Sequence, residues 1–458
     1  MTATVSPPRH RSEHEPNSDR PSSRSRFLGP ALFALVAGLA VARVVWSDPT
    51  AATNESGAIA SLDGLRVTAE TDATSVESWI VYGNASMKAA VASGDRDEYL
   101  AAKDAFDTAL RLAPDSPDAL TARAGFALNA HDFATALTLA ERAVELNPYN
   151  PAALAALVDA RVETGRYDVV DSALNALLDV EPDFSAYARV SYVRELRGDI
   201  SGARIAMQQA VASASPSPQR ATLLVFLGDL QLQSGRVDAA NEAYDRALTD
   251  NPSSAAATVG RARVLVARGS LNQAAALLDT AIELGPETTA AIVRGEVALL
   301  MGDEAGAEAA FQIARTKDDR LRDRGEATDL ESATFLADRG EPDEAVIRAR
   351  AAYAVRATVL GADALAWALF VAGDDLEEAR SLVDQALATD IAAPTVRVHA
   401  AAILAAAGEV DRARRELEVA FEATPWGDLS ILPIATQLSD ELGITLPTTW
   451  SFGTVNPQ

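Results

Sequence analysis

The stretch Tyr187-Ala188-Arg189-Val190-Ser191-Tyr192-Val193-Arg194-Glu195 is the densest aromatic and charged run in a chain with eight tyrosines. Two tyrosines five residues apart, beside arginine and glutamate, are the side chains that anchor a bound peptide, and they serve equally well as packing between helices. Covalent and metal chemistry find less to work with. The absence of cysteine excludes disulfides, thiolate metal sites and a cysteine nucleophile. His10 and His14 lie in a polar stretch, and His131 and His399 stand alone, so no metal cluster or histidine-based catalytic group is visible and no cofactor is expected. None of the G-x-S-x-G, P-loop, H-E-x-x-H or G-x-G-x-x-G motifs occurs. With 65 acidic side chains some pair always mimics a glycosidase dyad, so an acidic hydrolase is kept only as a remote alternative to a solvated acidic surface.

Charge is unevenly placed. Residues 1–26 carry five arginines against three acids, whereas the whole chain is −25. A body that acidic repels phosphate backbones, which argues against nucleic acid as a partner. Residues 27–46 read FLGPALFALVAGLAVARVVW, with Arg43 as the only charge. Twenty residues at ~1.5 Å each span the ~30 Å hydrocarbon core of a bilayer, so a single transmembrane helix is expected here. Arg20, Arg24 and Arg26 precede it and Asp48 and Glu55 follow it. The positive-inside rule then leaves 1–26 as a cytoplasmic tail and places the body outside the cytoplasm. The alternative is a soluble, secreted chain cleaved at the small-x-small site Ala40-Val41-Ala42.

What positions any binding residue is a repeat. Pro114, Pro148 and Pro182 are spaced by 34 residues, as are Pro252 and Pro286. Ala102, Ala136, Val170, Ala203, Ala240, Ala274, Ala307, Ala345, Ala379 and Ala413 repeat at nearly the same interval. Seven residues after each stands Ala109, Ala143, Leu177, Ala210, Ala247, Ala281, Ala314, Ala352, Ala386 or Ala420, and between the two rows most units hold a larger residue such as Phe106, Met207, Tyr244 or Phe311. Glycines such as Gly165, Gly235, Gly269, Gly373 and Gly408 suit the end of a first helix, and the prolines stop a second. Small residues stand where the two helices cross. One such pair cannot bury its apolar stripe alone, so stacking is obligatory.

This pattern resembles the tetratricopeptide repeat, which Trp79 with Gly83, Leu224 with Leu227-Gly228, and Phe106-Ala109-Pro114 match closely. The resemblance implies an all-α, right-handed superhelical solenoid of about ten helix-turn-helix units across residues 75–425, with first helices lining a concave face. The expected divisions are a tail at 1–26, the membrane helix at 27–46, a spacer at 47–74 with a weak helix over 58–67, the solenoid, a cap at 426–445 built on a helix over 434–442, and a flexible tail at 446–458. Superposing the family register puts Asp159, Tyr192, Glu195, Asp229, Arg263 and Glu296 on or near the concave face. Of these, Tyr192, Glu195, Asp229 and Arg263 form the candidate peptide groove, with Glu296 and Arg397 marking an alternative among the later units. Relatives that clamp acidic carboxyl termini use lysine and asparagine on their first helices, where this chain has Thr121, Gly125, Ala155 and Asp159. An acidic clamp is therefore not expected. The expected function is a membrane-anchored scaffold for protein-protein interaction in the bacterial envelope, not an enzyme, whose partner presents basic and apolar segments and is not a small molecule.

Overall fold

The computed structural model describes residues 61–451 apart from 94, 286–287 and 324–328. The expected tail at 1–26, the membrane segment at 27–46 and most of the spacer lie outside the described residues. Among the described residues no helix is long and apolar enough to cross a membrane.

A leading helix, α1 (Leu62–Thr71), precedes ten helical hairpins. The first five are α2/α3 (Val76–Ser93, Arg96–Leu112), α4/α5 (Pro117–Asn129, Phe133–Leu146), α6/α7 (Pro151–Glu163, Val170–Val180), α8/α9 (Phe184–Leu196, Ile200–Ser213) and α10/α11 (Pro218–Gln233, Val237–Asp250). The rest are α12/α13 (Ala255–Ala267, Leu271–Leu284), α14/α15 (Thr289–Leu300, Glu304–Asp323), α16/α17 (Asp329–Asp338, Pro342–Val355), α18/α19 (Val359–Ala372, Leu376–Ala386) and α20/α21 (Pro394–Ala406, Val410–Ala420). A 3-10 turn (Pro425–Gly427) and α22 (Ile431–Leu442) close the chain. The described residues thus form an all-helical solenoid.

Local chemistry sets the boundaries. Ser116, Asn150, Ser217 and Ser254 each accept a hydrogen bond from a backbone N–H in the first helical turn, and Pro117, Pro151 and Pro218 follow three of them at the first helical position. First helices end on a left-handed residue, Gly165, Gly198, Gly235 and Gly269 among them, a role that His131 fills in the second unit at φ 57°. Second helices end at Asn147, Glu181 and Asn251, each extended before a proline.

The two alanine rows pack where helices cross. Every member of the first row is fully buried, Val170 included, and so is every member of the second except half-buried Ala352. The larger residue between the rows is buried as well, and glycines on first helices make room for it. A Cβ on Gly83 would lie 2.6 Å from the Phe106 ring, and Gly228 and Gly260 flank the Tyr244 ring from two successive first helices. First helices are consequently buried almost all round, as in α6, where only a few side chains reach solvent. Second helices are amphipathic, as α21 shows with Ala413 and Leu417 inward and Arg412, Arg414 and Arg415 outward. First helices therefore form the inner layer and second helices the outer one.

The superhelix is tight enough for one turn to touch the next. The first such contact, from the third unit, joins the turn after α6 to the loop before α18: the buried Glu163 carboxylate pairs with Arg356, the Val359 N–H donates to the Tyr167 hydroxyl (3.2 Å), and a Cβ on Gly165 would lie 2.6 Å from the Ala357 carbonyl oxygen. The turn at Gly198 meets Asp390 in the same way. Further along, the Thr424 backbone N–H donates to Gln233 (3.0 Å) and its hydroxyl to Leu232 (2.7 Å). Four of these contacts, Gly165 with Ala357, Tyr167 with Val359, Gly198 with Asp390 and Leu232 with Thr424, span an identical 192 residues.

Both ends differ from expectation. The weak helix expected over 58–67 is α1, capped by Ser61 and packed through Ala69 on Tyr82 and Ala105, so solenoid packing begins before residue 75. The cap helix starts at Ile431. The tail expected from 446 is anchored by Trp450, which is 1% exposed, donates its indole N–H to the Ala423 carbonyl (3.0 Å) and meets Phe421 edge-on with its ring. A lone tryptophan in a polar stretch carries no periodic signal, which is why it read as tail. Residues 452–458 lie outside the described residues. The two repeat steps longer than 34 residues, Ala203 to Ala240 and Ala307 to Ala345, hold a four-residue connection leading into the 16-residue α10 and a 20-residue α15.

Candidate functional site

Each first helix is sandwiched between its own partner and neighbouring first helices, which leaves one inward strip per unit. In order along that wall stand Tyr192 and Glu195 on α8, Asp229 on α10, Arg263 on α12 and Glu296 on α14. They are electrostatic neighbours in sequence: Glu195 with Asp229, Asp229 with Arg263, and Arg263 with Glu296. The four candidate residues thus share one wall.

Their environments differ. Tyr192 is 7% exposed beside Glu163, Arg356 and Tyr167, so in this conformation its ring packs the wall instead of projecting from it. Asp229 accepts a hydrogen bond from the Tyr244 hydroxyl (2.7 Å), yet burial still pushes its carboxyl up, against the pull of Arg263. Burial and then Asp229 push Glu195 up to about 7. Asp159 is committed elsewhere, held by Arg189 through paired bonds of 2.8 and 2.6 Å. Arg397, from the alternative groove, is buried too: it donates to the Ile391 carbonyl (2.6 Å) and pairs with Glu416.

The wall continues past the expected residues. Burial, then Asp428, pushes Glu296 up to about 8, against Arg263 and Arg339. Asp338 accepts from the Trp367 indole (2.8 Å), and Arg339 lies over the Phe311 ring at 4.3 Å. His399 is fully buried, stacked on Trp367 at 4.1 Å, with Nδ1 3.2 Å from both Asp363 oxygens. Burial lowers the His399 pKa, but Asp363, Asp338 and Asp428 outweigh it and leave it raised. Glu163, Asp338, Arg339, His399 and Asp428 escaped the sequence reading. For His399 a partial signal existed, since Asp363 lies 36 residues before it, two more than the repeat.

Among the described residues, the side chains of Glu195, Arg263 and Glu296 make no hydrogen bond or ion pair. No group of described His, Asp or Glu side chains has the arrangement to hold a metal ion. The strip therefore has charges to offer to something outside the chain.

Glu296 makes the wall pH-sensitive. Its folded pKa, raised from 4.5 to about 8, contributes stability that is complete below 4.5 and is lost as pH rises through 8. Glu296→Gln removes that loss. Between pH 6 and 9 the wild type should lose on the order of 3 kcal/mol relative to the variant. Parallel urea titrations with equal pH slopes would contradict the assignment.

Comparison with known proteins places the repeats. Residues 87–151, 227–288 and 259–320 match a family model described as tetratricopeptide repeat, and residues 127–191 match a second model of that description. No curated protein matches the chain. Among solved structures, a tetratricopeptide repeat protein from Parabacteroides merdae is 16% identical, covering 53% of this chain and 96% of its own, with a TM-score of 0.40. A thermophilic protein of the same kind from Thermus thermophilus is 24% identical over 40% of this chain and 99% of its own, at 0.35. Yeast Tom70 is 13% identical over 79% and 96%, at 0.32.

Proposed function

Because the chain carries tetratricopeptide repeats, we propose that it is a protein-docking scaffold whose binding surface is the inner wall of first helices and whose segment 27–46 tethers it to a membrane. One observation carries the docking reading: the side chains of Glu195, Arg263 and Glu296 line that wall in the fourth, sixth and seventh units without partners of their own. Enclosed polar and ionisable groups without partners are costly to keep, and a protein segment that pairs with them recovers the cost. Acids outnumber arginines along the strip, which favours a segment with Lys or Arg beside an apolar anchor. The tether rests on the twenty-residue apolar run, and display outside the cytoplasm rests on the arginines before it. The bacterial envelope is the compartment that fits this arrangement.

A photo-crosslinking side chain placed at Glu195 or Arg263 of the full chain in cells should yield discrete adducts with other proteins, while one at outward-facing Arg414 should not. Adducts from Arg414 alone would refute inner-wall docking. A carbonate wash should leave the chain with membranes, and a reporter active only outside the cytoplasm should work when fused after Gln458. Recovery in the soluble fraction, with the mass of a chain beginning at Arg43, would establish the secreted form instead.

A further inference from the structure

The segment after the last repeat turns back into the molecule. Thr424 makes the two hydrogen bonds to Leu232 and Gln233 at the end of α10, and the 3-10 turn of Pro425–Gly427 packs against α10 and α12. Trp426 and Leu429 are buried, and Asp428 accepts from the Thr395 hydroxyl (2.8 Å) and from the Ser430 amide (3.1 Å) and hydroxyl (2.7 Å). A short stretch of the chain's own thus sits against the inner wall of the fifth and sixth units. Its form is legible: extended entry, hydroxyl, indole two residues on, carboxylate two further.

That carboxylate is held by hydroxyls and an amide, with no cation paired to it among the described residues. Glu296 on α14, Asp338 and Arg339 on α16, Arg263 on α12, Asp363 on α18 and His399 on α20 surround or adjoin it. The histidine is taken by Asp363, and Arg339 lies over Phe311, which leaves the Asp428 charge to oppose the ionisation of Glu296 and Asp338. A cation in the place of Asp428 would turn that repulsion into attraction.

We propose that residues 424–429 are a resident occupant of a docking groove on the fifth to seventh units, displaced by a partner segment of the same form that carries Lys or Arg where Asp428 stands. The proposal deepens the docking reading above and rests on it. The partner wins by mass action and by the charge difference at one position, so the resident segment sets a threshold concentration below which the groove stays closed to weaker binders.

The probes are synthetic peptides with the sequence of residues 423–430, as it stands and with Asp428→Asn or Asp428→Lys, titrated at pH 8 against the full chain. With Trp426→Ala, which empties the groove, the Asp428→Lys peptide should bind at least tenfold tighter than the native sequence, with Asp428→Asn between them. The wild-type chain should bind each peptide at least tenfold more weakly than the variant. Equal affinity for all three peptides, or no binding by a folded Trp426→Ala chain, overturns the proposal. A second measurement does not need the groove emptied: in the full chain, Asp428→Lys should slow hydrogen exchange of the Thr424 amide at least tenfold at pH 8, and unchanged or faster exchange is equally fatal. If the peptides fail while crosslinks at Arg263 persist, inner-wall docking stands and this occupant is wrong. If the peptides bind and the crosslinks are absent, the groove exists but is not the docking surface in cells.

Discussion

Replacing Arg356 with alanine should cost about 3–5 kcal/mol, the range for breaking a buried ion pair on one side only. Glu163 and Arg356 are 4% and 8% exposed as side chains, so removal of the guanidinium strands a carboxylate inside the contact between superhelical turns. Burial already pushes the Glu163 carboxyl up, and only Arg356 opposes it while Asp159 adds to it. In the variant the carboxyl must therefore take up a proton or disrupt its surroundings, and the loss should grow as pH rises. Glu163→Leu combined with Arg356→Met should restore most of the stability, because the pair itself contributes less than its half-removal costs. Urea titration measures both, and a loss under about 1 kcal/mol for Arg356→Ala would show that the inter-turn contact is not held by this pair.

Ala274→Glu tests the helix crossing. Ala274 is fully buried in a row where successive units place alanine, and a glutamate there overpacks the α12/α13 crossing while burying a charge without a partner. A loss of about 3–5 kcal/mol is expected, enough to unfold much of a marginally stable chain. Ala276→Glu, two residues along on the exposed side of the same helix, should stay within about 0.5 kcal/mol of wild type. Equal melting of Ala274→Glu and Ala276→Glu would dismantle the register.

The register was legible because every unit solves the same local problem. A small residue at a crossing, a ring beside a glycine and a proline after a second helix depend on neighbours within one repeat, so their spacing appears directly as periodicity. Even Val170 and Leu177, which break the alanine rule, occupy the buried positions that the register assigns them. Contacts between turns of the superhelix have no such signature. Gly165 and Gly269 share the same left-handed backbone at φ 71° and 74°, yet the first abuts the Ala357 carbonyl and the second has nothing within 4 Å of its Cβ position. Sequence shows the backbone need that they share and hides the neighbour that only one of them has.

The inner wall was legible for the same reason and incomplete for the same reason. Glu195, Asp229 and Arg263 sit at corresponding positions of consecutive units, 34 residues apart, and Tyr192 lies one turn before Glu195 on the same helix, so family register alone aligns them. What crowds Tyr192 is Arg356 from a later turn, and what faces Glu296 is Asp428 from beyond the last repeat. Neither neighbour is related to its contact by the repeat. The burial of Tyr192 makes Tyr192→Ala a change to the fold as well as to any groove.

The 192-residue offset also fixes how the array can change length. An ordinary solenoid touches only its neighbours, so a unit can be duplicated or deleted in mid-array and the remainder restacks. Here the lips of two turns meet at Gly165 with Ala357, Gly198 with Asp390 and Leu232 with Thr424, and all three matches require the same number of intervening units. One extra hairpin anywhere between α11 and α17 would put all three out of phase together. A hairpin added ahead of α4 would disturb none of them. The gene is free to grow at its front, while the copy number of its central repeats is locked.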